Sequence, residues 1–121
     1  MINLAVVGSR NFTDYDTVCM GIIETLDLWK IGINQVSSII SGGATGVDSS
    51  AEIFSKYFDI KFVVFEAEWS KYGKSAGPKR NSLIVKNATH VIAFVTEDSV
   101  GTLDTIRKAR ESNLTINIVR I

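Results

Sequence analysis

Apolar residues along the chain follow two recurring patterns. Short runs apolar at successive positions alternate with longer stretches where apolar residues recur every three or four. Ile2 to Val7 is the first short run and ends at Gly8. Asp14 to Lys30 follows as a predicted helix, with Val18, Ile22, Leu26 and Trp29 at helical spacing. Val36 to Ile40 predicts a second strand, closing on Ser41-Gly42-Gly43. Val47 to Tyr57 predicts a helix that buries Val47, Ala51 and Phe54 or Phe58. Lys61 to Phe65 is a third strand, and Glu66 to Gly77 reads as a long loop. Pro78 to Asn87 predicts a third helix, with the proline in the first turn where its missing N–H does no harm. His90 to Val95 is a fourth strand, Thr102 to Ser112 a fourth helix and Thr115 to Arg120 a fifth strand. The last strand alternates more than the others, as a strand near a sheet edge does.

Strands that are apolar on both sides need helices on both faces of their sheet. Strands alternating with helices favour parallel pairing through crossovers. The prediction is one α/β domain over residues 1–121: a doubly wound, Rossmann-like domain with a mostly parallel five-stranded sheet, order 3-2-1-4-5. The chain then reverses direction between strands one and four, and in such folds ligands bind beyond the carboxyl ends of the strands at that point.

Composition narrows the function classes. Of 121 residues, 45% are hydrophobic, enough for one core. Thirteen basic residues balance 13 acidic ones. A formal net charge of zero argues against broad binding to nucleic acid or a membrane surface. No apolar run approaches the roughly 20 residues that span a bilayer. The apolar amino terminus lacks a basic leader and reads as a strand, so a cytoplasmic location is expected. Cys19 is the only cysteine and His90 the only histidine, which removes an intrachain disulfide and leaves no His/Cys zinc site unless carboxylates fill in. Both read as structural residues. No metal or cofactor is expected, because nothing in the spacing of Asp48, Asp98 and Asp104 demands magnesium.

The unusual residues collect where strands run into helices. Strand one leads to Gly8-Ser9-Arg10, strand two to the stretch from Gly42 to Asp48, and strand four to Asp98-Ser99-Val100-Gly101-Thr102. Glycine lets backbone approach a ligand, and a helix start offers free N–H groups to an anion. Glycine also serves ordinary strand–helix turns, so the meaning lies in three such junctions on one edge. Lys79 and Arg80 fall in the first turn of the predicted third helix. Cations there oppose the helix dipole by roughly 0.3–1 kcal/mol each, and a docked anion reverses the sign. The bland alternative solvates Lys79 and pairs Arg80 with Glu66 or Glu68. Asp104 sits in the predicted first turn of the fourth helix, where it favours the dipole and pairs with Lys108 four residues on. Asp48 has the same ambiguity at the start of the second helix. In the loop, Trp69 or Tyr72 either stacks on a base or caps the edge of the core.

Four pieces carry a resemblance: VVGSRNFTD from Val6 to Asp14, SGGATGVD from Ser41 to Asp48, EWSKYGKSAGPKRN from Glu68 to Asn81 and DSVGTLDTIRKA from Asp98 to Ala109. In this order and spacing the chain resembles the small YspA-like branch of the SLOG superfamily, which includes the LOG and DprA proteins. The resemblance implies a Rossmann-like fold that binds nucleotides or their derivatives. It implies ligand-binding roles for Gly8, Ser9, Arg10, Gly42, Gly43, Gly46, Asp48, Trp69, Lys79, Asn81, Ser99, Gly101 and Thr102. Arg80 is similar to an arginine that LOG enzymes use near the bond they break, and Asp104 falls where those enzymes keep a catalytic glutamate. Ser99-Val100 stand where LOG proteins have a proline and two glycines, and aspartate is one methylene shorter than glutamate.

Three functions follow as expectations. The first is a sensor or sequestering module for a nucleotide or nucleotide derivative. The second is a LOG-like N-glycosidase acting on nucleoside monophosphates through Arg80 and Asp104. The third is DprA-like single-stranded DNA binding through Lys71, Lys74, Lys79, Arg80 and the loop aromatics, against which the net charge speaks. The resemblance also implies a homo-oligomer, and Met20, Ile23 and Leu28 add apolar surface to the first helix beyond one buried face.

Overall fold

The computed structural model describes residues 1–121. Five strands form one parallel sheet: β1 (Ile2–Gly8), β2 (Val36–Ser41), β3 (Lys61–Val64), β4 (His90–Val95) and β5 (Thr115–Arg120). Their order is β3-β2-β1-β4-β5, as the apolar patterning predicts. Five helices connect them: α1 (Tyr15–Leu28), α2 (Val47–Tyr57), α3 (Trp69–Tyr72), α4 (Ala76–Asn87) and α5 (Val100–Glu111).

Strand alternation divides the core in two. Leu4 and Val6 of β1 and Ile92 and Phe94 of β4 meet Val18, Ile22 and Leu26 of α1 and Val47, Ala51 and Phe54 of α2. Ala5 and Val7, together with Val91 and Ala93, meet Ile84 and Val85 of α4 and Ile106 and Ala109 of α5. Successive residues of one strand thus point into different layers. That is why Leu4 to Val7 of β1 and Val91 to Val95 of β4 are apolar without a break, while the edge strand β5 has exposed ends.

Helix boundaries differ from the sequence expectation in ways that matter for charge. Residues Glu66 to Gly77 are not loop throughout: they hold α3, a single 3-10 turn at Gly73–Ser75 and the start of α4. With α4 starting at Ala76, Lys79 and Arg80 become its fourth and fifth residues. With α5 starting at Val100, Asp104 becomes its fifth residue. Dipole effects fade beyond the first turn, so they do not account for these three side chains. Asp14 caps α1 by accepting a hydrogen bond from the Thr17 amide at 3.2 Å. His90 starts β4 at the amino edge, its ring 5.1 Å from that of Trp29. No helix is long and apolar enough to cross a membrane.

Candidate functional site

The carboxyl ends of β1, β2 and β4 carry a cluster of buried polar residues: Ser9, Ser41, Asp48, Asn81, Ser99 and Thr102. Burying polar groups costs free energy unless they are hydrogen-bonded, and none of the buried side-chain nitrogens or oxygens lacks a partner. All but Ser41 line a cleft of about 180 Å³ at the junction of β1 and β4. Three of its 16 lining residues are hydrophobic, which suits a polar occupant.

Arg80 spans the centre of this cleft. Its Nη1 donates to the Gly42 carbonyl at 3.0 Å and its Nε donates to Asn81 Oδ1 at 2.9 Å. Asn81 is held in turn by donating to the Gly101 carbonyl at 3.2 Å and to Asp104 Oδ2 at 3.1 Å. The guanidinium lies so close over Gly42 that a side chain there would collide with it. Beside it, Asp48 Oδ2 accepts the Ala44 amide at 3.0 Å. Burial pushes the Asp48 carboxyl above its ordinary value, against the opposing pull of the Ala44 amide and Arg80. Burial lowers Arg80, Asp48 opposes that shift and Arg10 adds to it. Arg80 therefore stands between the buried Asp48 carboxylate and a second arginine, Arg10.

Two loops are locked together at the mouth. Val47 donates its amide to the Ser9 carbonyl at 3.1 Å, and Thr45 Oγ1 donates to the Arg10 carbonyl at 3.0 Å. Gly46 sits between them at φ +72, where a Cβ would run into the Ser9 and Arg10 backbone. Across the cleft, Ser99 Oγ accepts the Thr96 amide at 2.8 Å and does not cap α5. The start of α5 thus meets the cleft, with Gly101 and Thr102 in its lining, without a side chain over its first-turn amides.

A second cleft, of about 370 Å³, continues from the first and shares Arg10, Gly42, Ala44 and Arg80 with it. Gly43, Thr45, Glu66, Ala67 and Trp69 complete its walls. Trp69 is 54% exposed, so its ring meets solvent at the cleft rather than closing the core. Tyr72 is already engaged: the ammonium groups of Lys79 and Lys71 lie 4.8 and 5.0 Å from its ring centre.

Most of the residues singled out in the sequence line one cleft or the other. Gly46, Lys71, Tyr72, Lys74, Lys79 and Asp104 do not. Gly46 shapes the loops, and Lys79 packs on Tyr72. Asp104 accepts from Arg107 at 2.8 Å, Lys108 at 2.9 Å and Asn81 at 3.1 Å. Burial raises the Asp104 carboxyl, but the bonds from Lys108, Asn81 and Arg107 outweigh it and hold the group below its ordinary value. Arg80 is paired with neither Glu66 nor Glu68, contrary to the bland expectation. Asn11, Thr105 and Glu66 line the clefts without having been singled out as ligand groups. Asn11 is next to Arg10 in the glycine-arginine loop, and Thr105 lies one helical turn after Thr102, so both positions were readable. Glu66 carried no such signal. No group of three or more His, Cys, Asp or Glu side chains is placed to hold a metal ion.

No protein-family model matches the chain. The Gene 61 protein of Mycobacterium phage D29 is 28% identical over 122 residues, covering 96% of this chain and 94% of that protein. Among solved structures, DNA processing protein A (DprA) from Streptococcus pneumoniae superposes with a TM-score of 0.73 at 21% identity, over 98% of this chain. The fold is that of the matched half of DprA. DprA from Helicobacter pylori, solved for its single-stranded DNA binding mode, gives 0.67 at 20% identity over 97% of this chain. The structural-genomics target TM1055 gives 0.66 at 17% identity, over 96% of this chain and 72% of that one. The chain spans 50% of the S. pneumoniae DprA chain and 64% of the H. pylori one. At 17–21% identity these likenesses show a shared fold.

Proposed function

We propose that the chain binds a nucleotide or nucleotide derivative along the two joined clefts, as a sensor or sequestering module. The phosphate takes the first cleft, at Arg10, Arg80 and the start of α5, where guanidinium and amide donors face the same space as the carboxylates of Asp48 and Asp98. The base takes the second, against Trp69. The observation that carries this reading is the placement of Arg80 at the junction, fixed by Gly42 and Asn81 while lining both clefts. An arginine held in that way presents its remaining N–H groups to an anion with little ordering left to do.

N-glycosidase chemistry is the poorer fit. The carboxylate of Asp104 is occupied by three donors and faces neither cleft. Single-stranded DNA binding is the second reading, favoured by the DprA fold and by an exposed tryptophan beside arginines. Incubation with nucleoside monophosphates, dinucleotides and a short oligothymidylate, followed by native and denaturing mass spectrometry, separates the three. An intact mononucleotide retained on the native protein supports the binding module. Free base in the denatured sample makes the chain a hydrolase, and retention of the oligonucleotide alone makes it a DNA-binding domain. Retention of none of them overturns the nucleotide reading.

A further inference from the structure

Glu66 stands out in the second cleft. It makes no ion pair, although Arg10 and Arg80 line the same space. Its side chain lies alongside Gly43: a Cβ there would be 3.3 Å from Glu66 Cγ and 3.6 Å from Oε1. The carboxylate therefore shares a wall with the glycine turn and a space with the Trp69 ring. A base stacked on Trp69 would present its edge to groups on the wall of that space, and Glu66 is the only carboxylate among them.

A carboxylate is acceptor-only, with two oxygens side by side. Guanine alone among the common bases offers two adjacent donors, N1–H and the N2 amine, on one edge. Adenine and cytosine place an acceptor nitrogen beside their amine, and uracil flanks its N–H with two carbonyls. Each of those edges sets a lone pair against one carboxylate oxygen. We infer that Glu66 selects guanine, so that the ligand of this cleft is a guanine nucleotide. The inference rests on the nucleotide reading and adds the identity of the base.

The test is titration calorimetry of the intact chain with GMP, IMP, AMP, CMP and UMP, repeated on Glu66→Gln. GMP binds tightest, by about fivefold or more over AMP, the lower end of the discrimination a bidentate base contact gives because Glu66 is exposed. IMP, which keeps N1–H and lacks the N2 amine, falls between them. Glutamine offers one donor and one acceptor, the pattern that adenine matches, so Glu66→Gln weakens GMP and leaves AMP unchanged or tighter. An equal loss for all five nucleotides in Glu66→Gln would place the carboxylate on the sugar and overturn base selection. Equal affinity of the natural chain for all five would overturn it too, while leaving the nucleotide reading intact. Binding of none would remove both.

Discussion

Arg80 is the residue on which the proposed site depends. It is half-buried, bonded to Gly42 and Asn81, and placed between Asp48 and Arg10. Hydrogen bonds to a charged group contribute about 1.5–3 kcal/mol, so Arg80→Ala should weaken nucleotide binding by roughly 10- to 100-fold. Arg80→Lys should recover only part of that, because a point charge cannot reach Gly42, Asn81 and a phosphate at once. Calorimetry on both variants checks this, and full affinity in Arg80→Lys would show that charge alone suffices. Asp48 gives a prediction in pH. Its folded pKa is raised above the ordinary 3.8, so the folded chain holds that proton more tightly than the unfolded chain. The stability tied to it is fully present below the unfolded value and is lost as pH rises through the folded one. Urea melts between about pH 4 and 7 should therefore show the natural chain losing stability relative to Asp48→Asn as pH rises. Parallel curves would mean that burial does not govern Asp48. The glycine-rich junctions made Arg10, Asp48 and Thr102 legible in the sequence, since they stand at strand ends. Glu66 was not legible, because an acidic residue near Arg80 in sequence invites a pairing that the structure does not make. Gly46 was legible as special, but its reason is the backbone of Ser9 and Arg10 rather than a ligand.

Between elements, the firmest polar link on the site side of the sheet joins α4 to α5. Asn81 of α4 donates to Asp104 of α5, and Lys108 of α5 donates to the Pro78 carbonyl of α4 at 2.6 Å. Asp104 thus fixes Asn81, which fixes Arg80. Asp104→Asn should lower stability by about 1 kcal/mol, a shift of a few degrees in Tm, and change nucleotide affinity only about two- to threefold through Arg80. Thermal melts with calorimetry test this. A loss of product formation with unchanged Tm would instead favour a LOG-like reaction at Asp104. The sheet order could be read in advance because the centres of β1 and β4 have no polar face to spend on solvent, which leaves parallel pairing under two helix layers as the solution. The segment from Trp69 to Ser75 could not, since its short helical turns are broken at Gly73 (φ +56) and never establish a helical period. The starts of α4 and α5 moved by two residues for a related reason: Ala76-Gly77 and Val100-Gly101 continue the helix without a hydrophobic repeat to announce it. The link from Asn81 to Asp104 spans 23 positions and lies beyond any local pattern.

At the scale of the whole molecule, two surfaces differ in chemistry: an apolar helical face and the polar cleft. On the side away from the cleft's Arg80, α1 exposes Met20 and Leu28 (53% and 68%), and α2 exposes Ile53 and Tyr57 (52% and 78%). Isolated exposed apolar residues are ordinary, but these lie on two helices that pack on each other. The expected outcome is self-association through this face: light scattering over a concentration series should rise from 13.3 kDa toward twice that mass, and Ile53→Lys should hold it at the monomer. A constant monomer mass would remove the interface. The other surface is the cleft, and its electrostatics decide between mononucleotide and DNA. The formal charge is zero, so attraction to a polyanion has to come from local cations. Arg10 and Arg80 line the cleft, whereas Lys71 and Lys79 already lie on the Tyr72 ring. Two phosphate contacts to a single strand give a slope of about −1.4 in log affinity against log salt, or about sevenfold weaker binding from roughly 50 to 200 mM. Five contacts, recruiting Lys71, Lys74 and Lys79 as well, would give about −3.5 and a loss of more than about 100-fold over the same range. Anisotropy of a labelled oligothymidylate across that range should follow the shallow slope. In that case a strand engages the cleft as proposed for a nucleotide, through one or two phosphates. The steep slope would mean that the lysines leave Tyr72, freeing its ring beside Trp69 for a second base, and would make this face a DNA-binding surface.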